Sequence, residues 1–172
     1  RLLSEVALMG ERRGMQVYRG QGSEQVGQQP YHVLGGVVEQ IIARAQCEPA
    51  WGRELHDRLG EHADAVGAVL PSMAEALGWE RPETLGPEAF AEYRSVQALV
   101  ALLDSLGDEG RPAMILLDDC QWADEMAIRL IAQSRRDRAG NGSRRVPALV
   151  VLAFRSEEVE ATHPLRKIPT SL

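Results

Sequence analysis

Cysteine is scarce in this sequence: Cys47 and Cys120 are the only two among 172 residues, and they form no CxxC pair. That excludes a disulfide framework and suits free thiols in a reducing cytoplasm. No apolar run approaches the roughly 20 residues that a membrane helix needs. No signal peptide precedes the first helical pattern, and no internal repeat is visible. Lysine is almost absent, with Lys167 alone, and the net charge is -6. A chain built to coat nucleic acid or an anionic membrane carries the opposite balance. The four histidines do not converge. His56 and His62 are six apart and fall on different faces of a helix, which excludes a paired metal site of i,i+4 spacing.

What remains is ordinary globular material: 44% hydrophobic and 26% charged residues, enough for one compact α/β domain. Leu2, Leu3, Val6 and Met9 recur at helical spacing, with Gly14 as a stop. "MQVYRG" (15–20) alternates Met15 and Val17 against Gln16 and Tyr18, which predicts a short strand. A Gly- and Gln-rich loop follows (20–30), and Pro30 opens the next helix, whose apolar stripe runs from Val33 to Ala45. Gly35 and Gly36 weaken that helix slightly. Residues 47–86 read as a small helical insertion punctuated by Pro49, Pro71, Pro82 and Gly86. Pro87 starts a strong helix that lines up Phe90, Tyr93, Val96, Leu99, Leu103 and Leu106 and closes at Gly107. "AMILLD" (113–118) and "ALVVLAF" (148–154) are continuous apolar runs, expected as strands covered on both faces. Between them lie a helix over 125–136 and a polar loop, "RRDRAGNGSRR" (135–145). Helices alternating with buried strands predict a parallel α/β sheet.

In such sheets the ligand crevice lies beyond the carboxyl ends of the strands. Asp118 and Asp119 stand where one buried strand exits, and Arg155 stands where the next exits. Phosphoryl transfer uses this combination. One carboxylate holds Mg²⁺, usually through water. A second orients or deprotonates the attacking water, and a cation neutralises charge on the terminal phosphate. An acidic strand end can equally cap the following helix, and Asp124 is placed for that structural role. Cys120 lies beside the acid pair without a partnered base, so it reads as a packed thiol. Arg135, Arg136, Arg138, Arg144 and Arg145 form a basic cluster with no interleaved aromatics, which reads as a solvated helix end. A receiver-type phosphoacceptor would need a third Asp and a Lys on later strands, and the run 148–154 ends in Phe154-Arg155 instead.

The stretch "ILLDDCQWADEMAIRLI" resembles the Walker B region of the AAA-type, STAND-like ATPase module of large signalling proteins. Those include LuxR-like regulators, sensor and serine/threonine kinases, and nucleotide cyclases. The likeness continues in "QQPYHVLGGVVEQI", in "FAEYRSVQALVALLDSLGDEGRPAMILLDD" and in "ALVVLAFRSEEVEATHPLRKI", and it is weakest over 47–86. The resemblance implies a P-loop NTPase-like sheet, ATP and Mg²⁺ as ligands, and a switch coupled to other domains of the same polypeptide, with homo-oligomers also in scope. It assigns Asp118 to Mg²⁺, Asp119 to the hydrolytic water and Arg155 to the γ-phosphate. Trp122 and Asp124 are hallmarks of the family; Asp124 is expected to cap its helix and Trp122 to pack near the site.

One part of the family pattern is missing. A P-loop needs glycines that let backbone N–H groups wrap the phosphates, followed by Lys and Ser/Thr. No GxxxxGK[ST] occurs, and "GSEQVGQQP" (22–30) offers two glycines without a lysine. In the family the helix after the P-loop commonly begins Arg-Leu-Leu, and this chain begins "RLLSEVALMGERRG". The expectation is a chain cut just after its phosphate loop, with the first strand lost and apolar strand edges left open. A naturally loop-less, nonhydrolytic module and an incomplete reading frame are the alternatives. In each case these 172 residues alone should bind ATP poorly and hydrolyse it negligibly. The rival to the ATPase reading is a noncatalytic regulatory or interaction module on the same fold.

Overall fold

A computed structural model describes residues 2–24, 29–79, 90–108, 110–140 and 148–168, without the side chains of 135–140 and 167. Helix α1 (Leu2–Arg12) ends near Gly14, whose φ of 78° is a glycine conformation. Strand β1 (Gln16–Gln21) follows. Helices α2 (Gly35–Cys47), α3 (Pro49–Leu59), α4 (Ala63–Val69), α5 (Pro71–Leu77) and α6 (Ala91–Ser105) then lead to strand β2 (Ala113–Asp118). Helix α7 (Glu125–Gly140) carries the chain to strand β3 (Leu149–Leu152). The three strands form one parallel sheet in the order β1-β2-β3, with Gln21 opposite Asp118 and Leu116 opposite Val151. The fold is therefore α/β, a three-stranded parallel sheet flanked by helices. Among the described residues no helix is long and apolar enough to cross a membrane.

Strand β2 is buried from Ala113 to Leu117 because both faces are covered. Met114 and Leu116 pack with Ala7, Leu3, Val6 and Val17 under α1. Ile115 and Leu117 face the larger core, built on Val37 and Ile41 of α2, Leu99 and Leu103 of α6, and Leu130 of α7. At about 25 cal/mol per Å² of apolar surface removed from water, this two-sided burial is the main force holding the sheet.

Several expectations need correction. Strand β1 was expected to be apolar on one side only, yet Tyr18 is 4% exposed. Its buried hydroxyl is satisfied by accepting a hydrogen bond from Arg44 Nη1 at 3.1 Å and donating to Gln16 Oε1 at 3.0 Å. Strand β3 was expected to be fully buried. It lies at the margin of the described sheet, with Leu149 47% exposed and Val150 to Leu152 half-buried. Helix α2 does not begin at Pro30. Tyr31 takes the left-handed conformation (φ 60°), a 3-10 turn covers His32–Leu34, and the α-helix starts at Gly35. Gly36 is therefore no defect: a Cβ there would press on the Arg19 carbonyl oxygen at 2.7 Å. Helix α7 continues to Gly140, through residues read as the start of a loop; 141–145 lie outside the described residues.

The helical segment after Cys47 forms no separate core. Trp51, Leu55, Leu59, Val66 and Met73 join the main cluster with α2 and α6. Its end (80–86), with Pro82 and Gly86, and the expected helix start at Pro87 lie outside the described residues. On the outer edge of β1 the Arg19 peptide is covered by a side chain. Gln40 accepts from the Arg19 N–H at 3.2 Å and donates to the Arg19 carbonyl at 2.7 Å, as a neighbouring strand would.

Candidate functional site

Strand β2 ends at Asp118, and the residues after it keep the sheet's pairing on both flanks. On one side the Gly22 N–H donates to the Asp118 carbonyl at 2.9 Å. On the other the Ala153 N–H donates to Leu117 O at 2.8 Å, and the Cys120 N–H to Ala153 O at 2.9 Å. Between them Asp119 adopts φ 47°, ψ 40°, a left-handed conformation that Asp tolerates better than most residues. The Asp119 N–H donates to Asp118 Oδ1 at 2.9 Å. Gly22 has to be a glycine, because a Cβ there would run into the Asp119 carbonyl.

This turn separates the two acids. Asp118 is exposed and lines a cleft of about 340 Å³ together with Gln21, Arg19, Leu116 and the first turn of α1, Leu3 and Ser4. Asp119 is held among protein donors. Its Oδ2 accepts from Gln21 Nε2 at 2.8 Å, and its Oδ1 accepts from Gln121 Nε2 at 3.3 Å and faces Arg155 Nε at 3.8 Å. The Gln21 hydrogen bond, followed by Gln121 and the Arg155 charge, holds the Asp119 carboxyl below its ordinary pKa and outweighs its partial desolvation. Arg155, expected on the same rim, is there. Its Nη1 donates to Glu158 Oε1 at 2.9 Å, across the 3-10 turn Ser156–Glu158.

The flanking residues of the motif have structural work. Asp124 Oδ1 accepts from the Ala127 N–H at 3.0 Å and so caps α7. Its Oδ2 accepts from the Tyr31 N–H at 2.8 Å, which ties the left-handed turn before α2 to the start of α7. His32 sits beside the same oxygen, with Nδ1 at 3.5 Å. Because His32 Nε2 accepts from the Ser23 N–H at 3.3 Å, Nδ1 carries the proton and is aimed at Gln29 O and Asp124. Trp122 is 37% exposed, and its Cβ backs onto Gly22. Cys120 is fully buried and donates to Leu117 O; burial pushes its thiol up to about 12, which suits packing and not nucleophilic attack. His163 caps the turn Pro164–Lys167 by accepting from the Leu165 N–H.

The sequence did not single out Gln21, Gln121 or Glu158, the three residues that hold Asp119 and Arg155. Glutamine is chemically unspecific, and only the pairing of Gln21 with Asp118 across the sheet could have pointed to the first of them. Among the described residues no group of three or more His, Cys, Asp or Glu could enclose a metal ion. An exposed carboxylate at a cleft suits Mg²⁺ nevertheless, because that ion keeps most of its waters and takes one or two protein carboxylates beside phosphate oxygens. Comparison of the chain with protein-family models, curated proteins and solved structures finds no match.

Proposed function

We propose that the chain is part of an ATP-binding and ATP-hydrolysing switch module, P-loop NTPase-like in fold, within a multi-domain signalling protein. The observation that carries this reading is the placement of Asp118, Asp119 and Arg155 just beyond the carboxyl ends of the adjacent parallel strands β2 and β3, with the Arg155 guanidinium 3.8 Å from Asp119. Leu3 and Ser4 of α1 border the same cleft as Asp118.

The residues then divide the work. Asp118 would hold Mg²⁺, which when bound neutralises charge on the phosphates. Asp119, positioned by Gln21 and Gln121, accepts a hydrogen bond from the attacking water and orients it. Arg155 offers its guanidinium to the terminal phosphate oxygens, where a planar two-pronged donor is favoured. The 172 residues contain no GxxxxGK[ST], so the phosphate cradle has to come from other residues of the polypeptide. The 172 residues alone are expected to show no ATP turnover above background, and measurable turnover would contradict the reading. In the multi-domain polypeptide that carries the chain, Asp118→Asn and Asp119→Asn should each lower Mg²⁺-dependent ATP hydrolysis about a hundredfold or more. Unchanged hydrolysis in both would refute the assignment.

One observation favours a second reading. Both carboxylate oxygens of Asp119 are already engaged inside the protein, by Gln21 and by Gln121, as they would be in a noncatalytic regulatory module that keeps the fold. Full-strength signalling by the Asp119→Asn polypeptide would select that reading.

A further inference from the structure

The rim carries one carboxylate for which the proposed chemistry has no use. Glu158 lies in the turn after β3, its side chain 33% exposed, and is engaged twice. Its Oε1 accepts from Arg155 Nη1 at 2.9 Å and its Oε2 accepts from Gln121 Nε2 at 3.1 Å. Gln121 is the bracket between the two strand exits. The same Nε2 also reaches Asp119 Oδ1 at 3.3 Å, while its Oε1 accepts from the Arg155 backbone N–H at 3.3 Å. Arg155 therefore sits between two anions, hydrogen-bonded to Glu158 and 3.8 Å from Asp119, with its side chain 61% exposed.

An arginine that is to meet a phosphate gains nothing chemically from a second carboxylate. Glu158 does, however, compete directly with that phosphate for the same guanidinium. An exposed ion pair is weak, because water screens it and both side chains lose freedom in making it. A phosphate with two oxygens in the plane of the guanidinium is the stronger acceptor. Arg155 can thus leave Glu158 for a phosphate with no change in the backbone of the turn, since its main-chain N–H stays on Gln121.

We propose that Glu158 is the resting counter-ion of Arg155, held in place by Gln121, and that phosphate binding at the rim requires Arg155 to exchange Glu158 for a phosphate oxygen. Glu158 and Gln121 are positioning residues in this scheme: they set where the cation waits and how tightly the nucleotide is held. The inference rests on the nucleotide reading above and adds to it a built-in competitor that lowers affinity.

A double-mutant cycle on MgATP binding by the multi-domain polypeptide tests it. Glu158→Gln keeps the shape and removes the charge. It should tighten MgATP binding about threefold to fivefold, the most that an exposed pair's free energy allows. Arg155→Ala should weaken binding, and in that background Glu158→Gln should change nothing. Glu158→Asp keeps the charge but shortens the reach and should give a smaller tightening, which provides a reading if Glu158→Gln fails to fold. Weakened binding in Arg155→Ala with no tightening in either Glu158 variant would overturn the counter-ion role and leave the nucleotide reading standing. Binding unaffected by both Asp118→Asn and Arg155→Ala would overturn the nucleotide reading, and this inference with it.

Discussion

The two flanks of β2 are held by different means. On the β1 flank the contacts are close and made by backbone. Gly20 lies so near the Val33 carbonyl that a Cβ would overlap it, Gly36 presses on Arg19, and Gln40 pairs with the Arg19 peptide on the outer edge. On the β3 flank the contacts are polar side chains at the surface, Gln121, Arg155 and Glu158, beside a half-exposed strand. Asp119 is anchored to both, through Gln21 on the tight side and through Gln121 on the loose one. The difference indicates which parts of the rim can move. Asp119 is bonded to Gln21 on the closely packed flank, while Arg155 lies on the polar, exposed one.

Substitutions of matched chemistry on β2 and on its looser neighbour β3 should differ in stability. Ile115→Ala on β2 empties a fully buried position and should cost about 4 kcal/mol, while Leu149→Ala on the exposed side of β3 should cost under about 1 kcal/mol. Urea unfolding of the two variants checks this; equal losses would mean that β3 is as buried as β2. Next in size, Gly20→Ala forces a methyl against Val33 O and the Leu117 side chain and should cost on the order of 3 kcal/mol. Gly35→Ala, in open space with φ -50°, should raise stability by about 0.5 kcal/mol. If both glycines behaved alike, the close approach of β1 to the 3-10 turn before α2 would be disproved.

Smaller effects separate the acids. Asp124→Ala removes the cap on α7 and the tie to Tyr31, and thermal melting should show a loss of about 1–2 kcal/mol. Asp119 titrates below its ordinary value, and the sign of its contribution follows. A depressed native pKa means stability that is present above the unfolded carboxylate value of about 3.9 and is lost as pH falls through the lower native value. The wild type should therefore lose stability more steeply than Asp119→Asn below about pH 4. Parallel acid titrations of the two would contradict the hydrogen bonding at Asp119.

Much of this architecture was legible in the sequence, for physical reasons. A strand covered on both faces has to be continuously apolar, so β2 and its acidic exit were plain. An N-cap carboxylate precedes its helix by one residue, so Asp124 was plain as well. The partners of Asp119 were not, because the Gln21 bond spans 98 positions and depends on the register of β1 against β2. The late start of α2 was hidden for another reason. A left-handed Tyr31 is a local cost that its N–H recovers only by reaching Asp124, a tertiary contact with no local signature. The exposure of β3 depends on what lies beside the strand, and a run of apolar residues does not record that.

Two adjacent acids, turned apart by one left-handed residue, are proposed to serve one site in two roles. Paired measurements of MgATP affinity and single-turnover hydrolysis in the Asp119→Asn multi-domain polypeptide test it most directly. The account predicts affinity within about twofold of wild type and a rate at least about a hundredfold lower, the loss expected when a positioned base is neutralised. A rate equal to that of wild type would contradict it.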